Sequence, residues 1–284
     1  PQSKTFVIER VEDFLKNAKY PEHCIHCEGV DERIENPRHH PSYEFGTGCN
    51  LRCIFCYSEI AKRRGIEIRE GYYGEMNPKA ITISQFGEPF YYGAERLLSV
   101  IRTLRDIFGD VRIDIQTNGV LLDERVCREA DIMMISLDAG SKENYRRICG
   151  KDAFERVLRN IDISSKLTYT SVRTILIPGV NDFEIGKIAE ISKSADELFL
   201  QPISLYREQK NLIRLIDIER TESLWEYLET ASMLSEITEV RIPGCLLVNL
   251  RRFEKECGVE NLRFLRRDVF GELPKIEREW KFVL

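Results

Sequence analysis

Cys49, Cys53 and Cys56 fall within eight residues of one another, in the stretch GTGCNLRCIFCY at 46–57. Thiolates spaced in this way suit soft metals and iron–sulfur clusters. A closed tetrahedral metal site takes four ligands, whereas a catalytic one keeps a position open. Three thiolates can hold three irons of a [4Fe–4S] cube and leave the fourth iron for an external ligand. A zinc site completed by His39 or His40 is the alternative reading. An electron-transfer cluster wants a fourth cysteine nearby, and none follows Cys56 before Cys127. Gly46 and Gly48 let the loop turn tightly and bring backbone amides toward sulfur.

A second pair, Cys24 and Cys27, forms a metal-type knuckle with His26 inside it. Two ligands hold a metal poorly, so partners are needed. Cys245, preceded by Pro243-Gly244, and Cys257 are the distant candidates, with His23, His39 and His40 as alternative donors. Four thiolates there would fasten the N-terminal arm to the C-terminal segment around zinc, a single iron or a second cluster. The plain alternative is a set of buried or exposed thiols. Nine cysteines in uneven clusters argue for metal or catalysis in a reducing compartment, not for a disulfide scaffold.

These loops must be held by regular elements. Residues 1–40 read as a polar, irregular arm after a short amphipathic start carrying Phe6, Val7, Ile8, Val11, Phe14 and Leu15. From about residue 43, strands alternate with helices. AITIS at 80–84 and VRIDIQ at 111–116 alternate apolar with polar. A helix is predicted over 94–108, with Leu97, Leu98, Ile101, Leu104, Ile107 and Phe108 on one stripe and Gly109 ending it. A short helix at 123–129 leads to IMMISL at 132–137. A helical region spans 141–166, its longer segment capped by Asp152. SVRTILI at 171–177 and LFLQPI at 198–203 are strands, and Asn181-Asp182 cap the helix between them. This alternation implies βαβ units and a parallel sheet, closed right-handedly into an incomplete barrel. The expected divisions are an arm at 1–40, a barrel at 41–204, and a mostly helical segment at 205–284 that covers one opening and carries a short strand near 238–242. Chemistry in such folds sits at the C-terminal ends of the strands. Ser84, Gln116, Ser136, Asp138 and Gln201 fall there, with Arg173 inside its strand.

Composition narrows the function classes. The net charge of −5 over 284 residues is not that of a basic nucleic-acid binder. Lys62-Arg63-Arg64, Arg146-Arg147, Arg251-Arg252 and Arg266-Arg267 read as solvated helix surface. No apolar run reaches the ~20 residues that span a bilayer, and no secretory signal is visible, so a cytoplasmic protein is expected.

The spacing Cys49-x3-Cys53-x-Phe55-Cys56 resembles the radical S-adenosylmethionine (SAM) enzymes, whose signature is C-x3-C-x-aromatic-C. Ser84-Gln85-Phe86-Gly87-Glu88-Pro89 is similar to the family's glycine-rich motif after the second strand, with Phe86 in place of its first glycine. Thr117-Asn118-Gly119, Ser136-Leu137-Asp138, Pro178-Gly179-Val180-Asn181-Asp182 and Leu200-Gln201-Pro202 also have counterparts, so the likeness covers about 43–204. It implies a partial (βα)6 TIM-like barrel and a [4Fe–4S] cluster whose fourth iron is chelated by SAM. One electron from a ferredoxin- or flavodoxin-type donor then cleaves SAM to a 5′-deoxyadenosyl radical that takes hydrogen from a substrate. On this likeness Gly87, Glu88 and Pro89 face the SAM ammonium, and Arg173 and Ser136 its carboxylate. Asn118, Ser136 or Asp138 take the ribose. Phe55, Tyr57, Val180 and Leu200 surround the adenine.

SLDAGSKENYRRICG resembles a stretch of the branch near the tRNA wybutosine-forming enzymes, which carry an extra cluster from N-terminal cysteines. The acidic charge and the lack of an identifiable substrate lysine weigh against that substrate. Peptide or protein modification, including activation of a glycyl-radical enzyme, and small-molecule chemistry are the other classes. The three closely spaced C-terminal cysteines of the GTP-cyclising branch are missing. Outside enzymes, the rival is an iron–sulfur or zinc-binding adaptor.

Overall fold

The computed structural model describes residues 2–284, with side chains from residue 7 onward. The burial expected of Phe6 therefore lies outside the described residues. The strands are Ser42–Glu44 (β1), Gly71–Tyr73 (β2), Ala80–Ile83 (β3), Arg112–Thr117 (β4), Ile132–Ser136 (β5), Tyr169–Leu176 (β6), Glu197–Pro202 (β7), Val240–Arg241 (β8) and Trp280–Phe282 (β9). They form one open sheet in the order β8-β7-β6-β5-β4-β3-β1-β2-β9. From β1 through β3 to β8 all neighbours are parallel. The expected six-stranded partial barrel is thus present, and β8 lengthens it by a seventh parallel strand. At the other edge β2 and β9 pair antiparallel, which the βα rhythm did not anticipate.

The helices are Gln2–Asn17 (α1), Tyr57–Arg63 (α2), Ala94–Phe108 (α3), Glu124–Glu129 (α4), Lys142–Cys149 (α5), Phe154–Ser165 (α6), Ile185–Ser192 (α7), Lys210–Ile213 (α8), Ile218–Glu222 (α9), Leu224–Leu234 (α10) and Gly244–Cys257 (α11). None is long and apolar enough to cross a membrane. On each strand alternate side chains face opposite sides. Ile113 and Ile115 of β4 pack in the apolar core with Leu97, Ile101 and Leu104 of α3. Arg112, Asp114 and Gln116 take the other face, which lines the lumen. That polar interior is what makes the fold a container.

Several local expectations change. The amphipathic start belongs to a longer helix, α1, that packs on α10. Ile107 is 44% exposed, because the last turn of α3 rotates it past the buried stripe. Asp152 caps nothing and instead pairs with Lys142 at 3.1 Å; α6 starts after Ala153, and Ser141 caps α5. Asn181 holds the N-cap position of a 3-10 turn at Asp182–Glu184, but its side chain does not cap it. Its Oδ1 accepts from Ile177 N and its Nδ2 donates to the carbonyls of Ile175 and Asp138, so it pins the β6 exit to the β5 exit. The basic clusters are partly clasps: Arg251 donates to the carbonyls of Leu15 and Ala18, and Arg267 to that of Ile203.

The arm closes the end of the barrel where the strands begin. Arg112 holds Asp114 in a two-pronged pair at 2.9 and 2.8 Å and also donates to the carbonyls of Glu22 and His23. Glu22 N donates to the buried Glu197 carboxylate at the start of β7. Further along, Arg278 donates to His39 O, Glu75 and Glu28 at 2.6, 2.6 and 3.0 Å. That one guanidinium, only 6% exposed, gathers the arm, the β2–β3 turn and the C-terminal segment.

Candidate active site

The triad loop leaves β1 and returns into α2. Its conformation depends on glycine at one place above all. Gly87 has φ +70°, and a Cβ there would lie 2.6 Å from Gly46 O and 2.7 Å from Gly48 O. Two loops therefore meet backbone to backbone, joined by Glu88 N donating to Gly48 O at 2.9 Å. The far side of the triad loop is docked on α5: Arg52 N donates to Cys149 O and Ile54 N to Ile148 O, at 3.0 and 2.9 Å. Phe86, in place of a glycine, is buried and packs edge-on against Tyr57, with ring centres 4.9 Å apart.

Cys49, Cys53 and Cys56 all line one cavity of about 270 Å3 at the C-terminal ends of the strands. Burial raises the Cys49 thiol to about 11 and also raises Cys56. A hydrogen bond with the Cys149 thiol, followed by burial, raises Cys53 well above its ordinary value. A bound metal acts against this shift, because it takes the thiolate. Leu51 N donates to Cys49 Sγ at 3.4 Å, and Asn118 Nδ2 approaches the same sulfur at 3.7 Å. Among the described residues, no three His, Cys, Asp or Glu side chains converge on the point a single ion would occupy. Three thiol side chains facing one cavity are the soft donor set that an iron–sulfur cube takes.

Of the other candidate residues, Phe55, Tyr57, Gly87, Glu88, Asn118, Ser136, Asp138 and Arg173 line the same cavity. Pro89, Val180 and Leu200 do not. Pro89 starts a buried 3-10 turn, and Val180 is fully buried, its carbonyl accepting from Asn144 and Arg147. Leu200 faces away from the lumen because strand alternation gives the inward positions to Phe199 and Gln201. Its carbonyl accepts from Tyr227 OH at 2.7 Å. Glu88 is committed internally, its carboxylate accepting from Thr117 Oγ1, Asn118 N and Phe90 N. It braces the β3 exit to the β4 exit. Asn118 in turn donates to Asn50 Oδ1 at 2.8 Å and so holds the triad loop.

Residue chemistry alone missed Gln85, Tyr145 and Tyr206 on the wall, and the buried Glu44 behind it, while Cys149, read from the sequence as lying in a helix that caps the barrel, reaches the wall at the end of α5. The Glu44 carboxylate accepts from Gln85 N, Phe86 N and Ser84 Oγ, so it shapes the loop that carries Gly87. A charged residue in a three-residue strand that is otherwise fully buried was the available signal. In the lumen, Arg173 Nε and Nη1 donate to Gln201 Oε1 and Gln116 Oε1, both at 2.5 Å.

Burial raises Glu88 and Asp114 to about 7 and Asp138 to about 6. Each is therefore harder to ionise in the folded chain than in the unfolded one. Between their ordinary values near 4 and about 7, the folded chain holds protons that the unfolded chain has lost. Their stabilising contribution is full below about pH 4 and is lost as pH rises through about 7. The thermal midpoint of the cofactor-free protein should fall between pH 5.5 and 8, by at least about 3 °C. Calorimetry at the two pH values checks the direction, and replacing Glu88 with Gln should flatten the slope.

The model for the "Radical SAM superfamily" matches residues 43–191, more than half of the chain. The chain belongs to the radical SAM superfamily. An uncharacterized protein of Methanocaldococcus jannaschii is 39% identical over 96% of both chains. The S-adenosyl-L-methionine-dependent tRNA 4-demethylwyosine synthase of the same organism is 29% identical, covering 78% of this chain and 72% of its own. A solved structure of TYW1 with a lysine–pyruvate adduct bound has a TM-score of 0.50 at 24% identity, over 80% of this chain and 81% of that one, and shares the fold. Membership in the radical SAM superfamily makes the chain an enzyme of that class and implies a [4Fe–4S] cluster, SAM and a reductant.

Proposed function

We propose that the chain is a radical SAM enzyme that reductively cleaves SAM at a [4Fe–4S] cluster held by Cys49, Cys53 and Cys56. The observation that carries this reading is the convergence of the triad with four strand-exit loops on one cavity. When bound, the cluster and SAM together supply a 5′-deoxyadenosyl radical able to take hydrogen from an unreactive carbon.

The chain's own residues bind and orient. The carbonyls around Gly87 offer acceptors to an ammonium, since the Glu88 carboxylate is already taken. Ser136, and Asp138 beyond the hydrogen bond its Oδ1 accepts from Ile175 N, face ribose hydroxyls at the β5 exit. Phe55 and the backbone near Tyr57 accommodate the adenine. Arg173, held by two carboxamide oxygens, presents its remaining N–H groups to a carboxylate. Leu51, Ile175 and Ile203 on the wall exclude water. Anaerobically reconstituted protein with SAM and a strong reductant should release 5′-deoxyadenosine. Protein that binds iron and sulfide yet leaves SAM intact would instead be the adaptor.

The substrate is a separate question. A tRNA substrate draws support from the 29% identical relative and from a surface hollow beside the triad loop in which Lys142, Lys151, Arg156 and Arg159 outnumber Asp152 and Glu155. On this reading tRNA binding weakens by at least about tenfold between low and physiological salt, and retention on a filter measures it. No retention at low salt would favour a peptide or a small molecule.

A further inference from the structure

The cysteines outside the triad fall in different places. Cys24 and Cys27 in the arm and Cys245 at the start of α11 line a second cavity of about 510 Å3, which shares Gln85, Gln116, Arg173, Gln201 and Tyr206 with the first. Cys257 is at the opposite end of α11, and at 1.5 Å per residue that is roughly 18 Å away. It cannot join the others while α11 stays intact, so the four-thiolate arrangement expected from the sequence does not form. Cys127 of α4 is buried in the apolar core. Cys149 lines the triad's own cavity.

Cys149 is built into its place beside Cys53. It ends α5, and the two amides flanking Cys53 are tied there, Arg52 N to Cys149 O and Ile54 N to Ile148 O. Gly150 follows at φ +74°, and a Cβ on it would lie 3.2 Å from both Arg52 Cβ and Arg52 O. A side chain at that position would push the triad loop off α5. The Cys149 thiol hydrogen-bonds the Cys53 thiol. One turn back on the same face of α5, Tyr145 lines the same cavity and is 1% exposed, and its buried hydroxyl finds no partner among the described residues. A buried hydroxyl left in this way points to an acceptor that arrives with a bound group.

We propose that Cys149 and Tyr145 tune the reduction potential of the cube held by the triad, Cys149 by donating its S–H to the ligating sulfur of Cys53 and Tyr145 by supplying a second donor at that corner. The direction follows from the chemistry. Cys53 bound to iron is a thiolate and can only accept, so Cys149 must donate. The reduced cube carries one more negative charge, shared with its sulfurs. A donor there favours the reduced form and raises the potential. The cube is then easier to charge and a milder reductant toward SAM.

This inference rests on the cube proposed at the triad, not on SAM cleavage, and the test keeps the two apart. The full-length chain is reconstituted anaerobically without SAM. A redox titration follows the paramagnetic signal of the reduced cube that Cys53→Ser removes. In Cys149→Ala the ratio of reduced to oxidised cube at a fixed potential should fall roughly three- to tenfold, the worth of one hydrogen bond. A tenfold fall corresponds to a midpoint lower by about 59 mV. Cys149→Ser keeps a donor and should restore most of that loss. Tyr145→Phe should lower the midpoint by less, and Cys127→Ala should leave it unmoved. Iron and sulfide should match the unaltered chain in all four. An unmoved midpoint in Cys149→Ala, a shift of opposite sign, or an equal shift in Cys127→Ala would overturn the proposal. So would loss of iron from a Cys149→Ala chain that still melts at the unaltered temperature, because Cys149 would then be a ligand. If Cys149→Ala does not fold, Tyr145→Phe decides by the same sign. A chain with no cube at the triad removes the proposed function as well, whereas a cube with an unmoved midpoint removes this inference alone.

Discussion

Cys53→Ser is expected to cut 5′-deoxyadenosine formation by at least about a hundredfold, which is the scale of loss when even an outer partner of a metal ligand is removed. Iron and sulfide should fall by one cluster's worth. The reason is positional. Cys53 sits between Arg52 and Ile54, whose amides are both tied to the end of α5, so neither backbone shift nor loop slack can bring another ligand into its place. Serine keeps the size of the side chain but offers a hard, barely acidic hydroxyl where a soft thiolate is needed. The neighbouring Cys149 makes the test sharper. Its thiol hydrogen-bonds Cys53, so Cys149→Ser should retain the cluster, while the double variant should match Cys53→Ser alone. Iron retained at wild-type level in Cys53→Ser, with cleavage intact, would remove the triad from the mechanism.

Arg173→Met is expected to weaken SAM retention by roughly 30- to 1,000-fold while leaving iron content unchanged. Removing one partner of a buried, hydrogen-bonded charge costs about 2–4 kcal/mol. Here it also leaves Gln116 Oε1 and Gln201 Oε1 facing each other without a donor. Lysine restores the charge but lacks the planar fork, so Arg173→Lys should recover only part of the loss. Equilibrium dialysis of SAM against cluster-loaded protein reads the effect. If SAM retention holds and only turnover falls, Arg173 acts on the substrate from its place between the two cavities.

Much of this arrangement was legible because the informative positions are local. Strand exits at Ser84, Thr117, Ser136 and Gln201 are read from hydrophobic alternation and the polar residue that ends it. The cysteine triad is read from spacing alone. What stayed hidden depends on long-range packing. Leu200 and Gln201 are adjacent, and only the register of β7 decides which faces the lumen. Cys149 carries no motif of its own and reaches the site because α5 ends under the triad loop. β2 and β9 escaped because an antiparallel edge breaks the βα rhythm on which the barrel reading relied. Glu88 was recognised but its partners were not, since the carboxylate turns to Thr117 and Asn118 in preference to the cavity.

The Arg278 clasp has a consequence for how the protein is made. The arm comes off the ribosome first, yet the guanidinium that fixes it to His39 and Glu28 follows Cys56 by roughly 10–45 s at ordinary synthesis rates. During that interval the first triad is already translated, and the ties of the arm to Arg112 and Glu197 can form before the Arg278 clasp does. The clasp is thus the last of these fastenings to be made, completed as β9 pairs with β2.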